Sequence, residues 1–166
     1  RSLHEVDTGI VHCTSPQGVG TGPLEISLNG QQYSRSRVQL ATYPSPSLQE
    51  ISPPLGPSSG STVLVLTVAH LARVGTDVRC RFSSSTGGIR DILATYDPNT
   101  TNTHLLHCIT PPDRPIGVDA LQITLNGQQW SPSLQYDVLT PPALSGIYPL
   151  TTPELVISVG VIGPFE

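Results

Sequence analysis

Apolar and polar residues alternate strictly over two short stretches, Leu24-Glu25-Ile26-Ser27-Leu28 and Leu121-Gln122-Ile123-Thr124-Leu125. A period of two puts successive side chains on opposite faces, so each stretch is predicted to be a half-buried β-strand. Both run into the same block, Leu-Asn-Gly-Gln-Gln followed by an aromatic, which is Tyr33 in one copy and Trp130 in the other. Asn29-Gly30 and Asn126-Gly127 are the residue types that supply two positive-φ positions to a tight turn. Each block is therefore predicted to be a β-hairpin whose returning strand carries the aromatic.

Between the two blocks the pattern stays β-like. Val78, Cys80 and Phe82 alternate with Arg79 and Arg81, and Val63 to Val68 is apolar enough for a central strand. Ile89 to Tyr96 and Leu105 to Cys108 are further predicted strands, with a polar loop from Asp97 to Thr103 between them. The expected inward set is Val63, Val65, Val78, Cys80, Phe82, Leu106, Cys108, Leu121, Ile123 and Leu125. The nearest helical stretch, Asp91 to Thr95, is too short to stand alone.

The similarities recur at a fixed distance. Cys13 and Cys108 are 95 positions apart, the two Asn-Gly blocks 97, and the stretches beginning at Pro46 and Pro142 are 96 apart. A period near 96 predicts an array of like units. Residues 1–43 read as the back half of one unit, 46–139 as a complete unit, and 142–166 as the first strands of another. The linkers Tyr43-Pro44-Ser45-Pro46 and Thr140-Pro141-Pro142 are extended, because each proline disfavours helix at the residue before it.

Composition narrows the class. Seventeen Pro and fifteen Gly in 166 residues fit many short strands joined by turns, a sandwich or barrel. There is no lysine, the net charge is −4 and the pI is near 5.6, which argues against nucleic acid and anionic membranes as partners. The longest apolar run, Val63 to Leu71, is far short of the ~20 residues of a spanning helix. No leader pattern opens the chain, so a signal peptide is expected to have been removed or to lie outside this sequence.

Five motifs in order carry a resemblance. They are Leu48 to Pro53, Gly56-Pro57-Ser58-Ser59-Gly60-Ser61-Thr62, Val78 to Phe82, Cys108 to Pro111, and Leu125 to Trp130. Together they resemble the IPT/TIG domain, an immunoglobulin-like β-sandwich found in tandem in cell-surface receptors and fibrous extracellular proteins, and singly in some transcription factors. The resemblance covers 46–139 fully and both flanks in part. The last unit departs from it, with Thr151 to Glu154 in place of the Gly-Pro-x-x-Gly stretch. It implies an all-β, immunoglobulin-like fold in tandem repeats.

The three cysteines then have two readings. Either Cys80 and Cys108 form a disulfide similar to pairings in extracellular IPT/TIG domains, or both are buried free thiols. Cys13 is the periodic image of Cys108, and its expected partner precedes Arg1.

Candidate chemistry is sparse. Gly56 to Gly60 formally matches Gly-x-Ser-x-Gly, but a nucleophile elbow needs a strand before the serine and a helix after it. Gly18 to Gly22 leads into Pro23 and a strand, so it is a loop rather than a phosphate cradle. His104 and His107 would point to opposite faces of a strand, a poor geometry for one metal. Asn99-Thr100-Thr101 is an N-glycosylation sequon in a polar loop. No cofactor is expected.

The resulting reading is a non-enzymatic extracellular or cell-surface protein with a structural or adhesive role, a building block of a fibre or stalk. Its expected partners are neighbouring IPT/TIG repeats or copies of itself, with glycans as further candidates. The alternative is a receptor ectodomain that binds a protein ligand. A DNA-binding factor would need a basic loop set that eight dispersed arginines do not provide. At the C-terminal end two readings stand. Covalent neighbours complete the partial units, or the strand containing Leu155, Val156, Ile157, Val159, Val161 and Ile162 is donated to a neighbouring subunit, which would give a head-to-tail filament.

Overall fold

A computed structural model of the chain describes residues 3–4, 9–99, 101, 103–148 and 158–162. It divides into two compact units, Arg1–Ser45 and Pro46–Glu166.

Residues 46–139 of the second unit form two sheets. One has four strands in the order β10-β11-β7-β5, with β5 Ser47–Ser52, β7 Val63–Ala69, β10 Thr95–Tyr96 and β11 Leu105–Ile109. The other has five strands in the order β6-β13-β12-β8-β9, with β6 Leu55–Pro57, β8 Arg79–Ser84, β9 Gly88–Leu93, β12 Gly117–Thr124 and β13 Leu134–Leu139. Neighbours are antiparallel except β6, which runs parallel to β13. This is an immunoglobulin-like β-sandwich. The predicted strand Ile89 to Tyr96 is two pieces. The chain pairs with β8 up to Leu93, then crosses to pair with β11 from Thr95.

The core is an alternating set. Val78, Cys80 and Phe82 from β8 and its lead-in, Leu106 and Cys108 from β11, and Leu121, Ile123 and Leu125 around β12 are all buried, as the periodicity predicts. Two expected members are corrected. Leu64, Leu66 and Val68 of β7 face the core, while Val63 is 57% exposed and Val65 lies on the outer side with it. Val63 to Val68 is apolar at five of its six positions, so its pattern does not select a face. Pairing with β11 does: Leu64 stands opposite Cys108 and Leu66 opposite Leu106, and paired residues share a face.

Each Asn-Gly block is a loop rather than a two-residue turn, a second correction. Positive φ occurs at Gly30 and Gly127 but not at Asn29 or Asn126. The reason is side-chain competition for backbone donors. Asn126 Oδ1 accepts from the N–H of Gln128 and Gln129 at 3.0 and 3.2 Å, and Thr124 Oγ1 accepts from Gly127 N–H at 3.0 Å. Trp130 therefore sits in the loop before β13, not on a returning strand. Ser131 closes the loop, its N–H donating to Ile123 O and its Oγ accepting from Ile123 N–H. The positive φ of Gly127 favours glycine, and a Cβ there would also have to displace the carboxylate of Asp77.

In the first unit β3 (Gly20–Leu24) pairs with β4 (Val38–Thr42), and β1 (Leu3–His4) pairs with β2 (Val11–His12). The loop between β3 and β4 repeats the wiring found around Asn126. Asn29 Oδ1 accepts from Gln31 and Gln32, Ser27 Oγ accepts from Gly30, and Ser34 closes on Ile26 through the same two bonds. Its strand face differs in environment. Leu24, Ile26 and Leu28 are exposed, whereas their counterparts Leu121, Ile123 and Leu125 are buried.

At the C-terminal end the structure describes part of the stretch named above. β15 (Ser158–Ile162) pairs antiparallel with β14 (Ala143–Tyr148) of its own chain, with Val159 opposite Ile147, Val161 opposite Leu144 and Ile162 opposite Ala143. This pairing satisfies one edge of β15 within the chain. Leu155, Val156 and Ile157 lie outside the described residues. The β14–β15 register shifts between Leu144 and Gly146, and the β5–β7 register shifts between Leu48 and Glu50, 96 positions earlier.

Candidate functional site

The two sheets are joined covalently at their centres. Cys80 on β8 and Cys108 on β11 form a disulfide with Cα atoms 6.5 Å apart, and both residues are buried. The strand pattern alone puts both sulfurs on core faces, and the sandwich then brings the two faces together. Cys13, in the first unit, is a free and exposed thiol.

The outer face of the five-stranded sheet carries a linked group of side chains. Arg81 projects outward between the inward Cys80 and Phe82, and its cross-strand neighbours are Asp91 on β9 and Gln122 on β12. Its guanidinium bonds both Asp91 oxygens at 2.8 Å and lies 3.7 Å from the centroid of the Trp130 ring. The same planar group thus makes a forked ion pair and a cation–π contact. Arg81 holds the Asp91 carboxyl below its ordinary value, chiefly through that hydrogen bond, with burial opposing it. Gln122 Nε2 donates to Ser131 O at 2.8 Å, tying the Trp130 loop to the sheet. Flanking Asp91 on the outer side of β9 are Ile89, 59% exposed, and Leu93, 71% exposed.

One end of the sandwich is closed by a buried ion pair. Asp119 sits at an inward position of β12, opposite Tyr136. Arg114 meets it in a fork, Nε to Oδ2 at 2.7 Å and Nη2 to Oδ1 at 2.6 Å, with side chains 3% and 1% exposed. Its remaining donors reach the β8–β9 turn at Gly87 O, Gly88 O and Ser84 Oγ. The guanidinium is therefore saturated, as a buried charge has to be. Sequence reasoning passed over Arg114. Its signal was Asp119 itself, an acid in phase with Leu121 and Ile123 on the core face, which calls for a buried cation.

The loop between β10 and β11 is anchored at its base. Asp97 Oδ2 pairs with His107 Nε2 at 2.9 Å, Arg73 Nη2 donates to Asp97 O at 2.8 Å, and Asp97 Oδ1 accepts from Asn99 N–H at 2.7 Å. Asn99, the sequon asparagine, is exposed in this loop.

Among the described residues no group of three or more His, Cys, Asp or Glu could hold a metal ion. No helix among them is long and apolar enough to cross a membrane.

No curated protein matches the chain. A family model for the IPT/TIG domain matches residues 46–138. That span is the two-sheet sandwich from β5 to β13 and more than half of the 166 residues, so the chain belongs to the IPT/TIG domain family.

Proposed function

We propose that this chain is a non-enzymatic, extracellular structural and adhesive protein, a building block of a surface fibre or stalk made of repeated immunoglobulin-like units. The observation that carries this reading is recurrence on both sides of the complete sandwich. The Asn29 loop has the hydrogen bonds of the Asn126 loop 97 positions later, and the β14–β15 register shift stands 96 positions after that of β5–β7. Stacked repeats of one unit form elongated, quasi-one-dimensional bodies, the shape a stalk requires. The Cys80–Cys108 disulfide supports an oxidising compartment outside the cytosol. Because β15 pairs within its own chain, covalent repetition supports the fibre better than strand donation does.

Electron microscopy of the protein purified from its source tests this. Elongated rods or filaments with a regular bead spacing are expected. Compact isolated particles would overturn the fibre reading.

A receptor ectodomain segment is the second reading, favoured by Ile89 and Leu93 exposed beside the Arg81–Trp130 stack. Interface anchors are enriched in Trp and Arg. Saturable binding of a protein ligand that is abolished by Leu93→Arg would favour it over the fibre.

A further inference from the structure

Among the described residues asparagine side chains close three Asx turns, and they do not use their atoms alike. At Asn29 and Asn126 the Oδ1 atom accepts from the backbone, and the Nδ2 atom donates to the side chain of Gln32 or Gln129. Both are followed by Gly-Gln, so no hydroxyl stands two residues on. At Asn99 the Oδ1 atom accepts from the Thr101 N–H at 3.1 Å and from the Thr101 hydroxyl at 2.8 Å. Among the described residues no hydrogen bond engages Asn99 Nδ2.

We propose that Asn99 is an acceptor site for an N-linked oligosaccharide. The donor class is a lipid-linked oligosaccharyl pyrophosphate. Asn99 Nδ2 attacks the anomeric carbon of the donor sugar. The new N–C bond forms as the C–O bond to the pyrophosphate breaks, the pyrophosphate leaves with the bonding pair, and one amide proton is lost to base. The Thr101 hydroxyl, donating to Oδ1, holds the amide in one orientation with Nδ2 turned away from the turn's own donors.

Placement fits the bulk of the product. The loop is rooted by Asp97, His107 and Arg73, and Asn99 stands beyond that root and is exposed. β10, which leads into the loop, is the edge strand of the four-stranded sheet. A large hydrophilic group beside an open edge blocks edge-to-edge pairing with another molecule. The proposal rests on the extracellular reading for the compartment in which the donor is met.

The test uses the full 166-residue chain secreted from eukaryotic cells, with intact mass measured before and after enzymatic removal of N-linked glycans. A single glycan at Asn99 is expected. It should be lost in Asn99→Gln and in Thr101→Val, which keeps the side-chain shape and removes the hydroxyl, and retained in Thr101→Ser. The Cys80–Cys108 link should persist in all of them, which separates loss of the acceptor from loss of the fold. A bare Asn99 on the secreted, disulfide-bonded chain would overturn the proposal, as would a glycan surviving in Thr101→Val. Free thiols at Cys80 and Cys108 in the protein from its source would remove the compartment and overturn it by that separate route.

Discussion

The hydroxyl of Tyr136 occupies the space where a side chain at residue 56 would begin. A Cβ built on Gly56 would overlap that hydroxyl and fall 2.8 Å from Thr62 Oγ1. β6 runs parallel beside β13, and the missing side chain leaves room for the hydroxyl end of the tyrosine, whose ring packs T-shaped against Phe82 with centroids 6.1 Å apart. The glycine of the Gly-Pro-x-x-Gly stretch is thus a close-approach residue.

Gly56→Ala is expected to destabilise the complete unit by about 2–3 kcal/mol, the scale of an overpacked core. Tyr136→Phe is expected to change stability by less than about 1 kcal/mol. The buried hydroxyl makes no hydrogen bond of ordinary geometry, and burial pushes its pKa up, with the Thr62 and Thr110 hydroxyls opposing. Combining the two changes should recover part of the loss. Urea unfolding of the three variants checks this, and equal costs for both single changes would contradict it.

Arg114→Ala should cost about 3–5 kcal/mol, because it leaves the Asp119 carboxylate buried without a partner. Replacing the pair together, Arg114→Met with Asp119→Leu, should cost less than the single change. A single change no worse than the pair would show that the ion pair does not hold the β8–β9 turn to β12.

Replacing Cys80 and Cys108 together by alanine should lower stability by about 3 kcal/mol, from the entropy of closing a loop between cysteines 28 residues apart. A peptide map under non-reducing conditions should show the 80–108 link, with Cys13 alkylated without reduction. Protection of Cys13 and release of either core cysteine would contradict the pairing.

The Asp91 carboxyl has a folded pKa below its unfolded one, which is about 3.9 for a free aspartate. Its contribution is therefore present above that unfolded value and is lost as pH falls through the folded one. The pair sits on the outer face, about a quarter exposed, so the effect is expected below about 1 kcal/mol. Unfolding midpoints measured between about pH 5 and pH 3 should fall less steeply in Asp91→Asn than in the parent. Identical slopes would show that Arg81 is held by Trp130 alone.

Alternation and spacing make the architecture legible in the sequence. The strict period-two stretches at Val78 to Phe82 and Leu121 to Leu125 place each residue by itself, because one polar neighbour on either side leaves one face to bury. The five ordered motifs identified the family, and a single sequon marked Asn99. Where the pattern is degenerate, only the tertiary structure decides. Val63 to Val68 is apolar on both faces, and its phase comes from pairing with Cys108 and Leu106. Asn-Gly is compatible with a tight turn, but Asn126 Oδ1 captures two backbone donors and widens it to a loop, which moves Trp130 onto Arg81. Tyr136 reaches Gly56 from a distant part of the chain, across a parallel edge, and Arg114, although only five residues before Asp119, is held in place by the carbonyls of the β8–β9 turn. Local patterning fixes which face of a strand is apolar, since that depends only on backbone geometry. Which charge neutralises a buried charge, and which ring fills a missing side chain, depends on surfaces that exist only once the sheets have met.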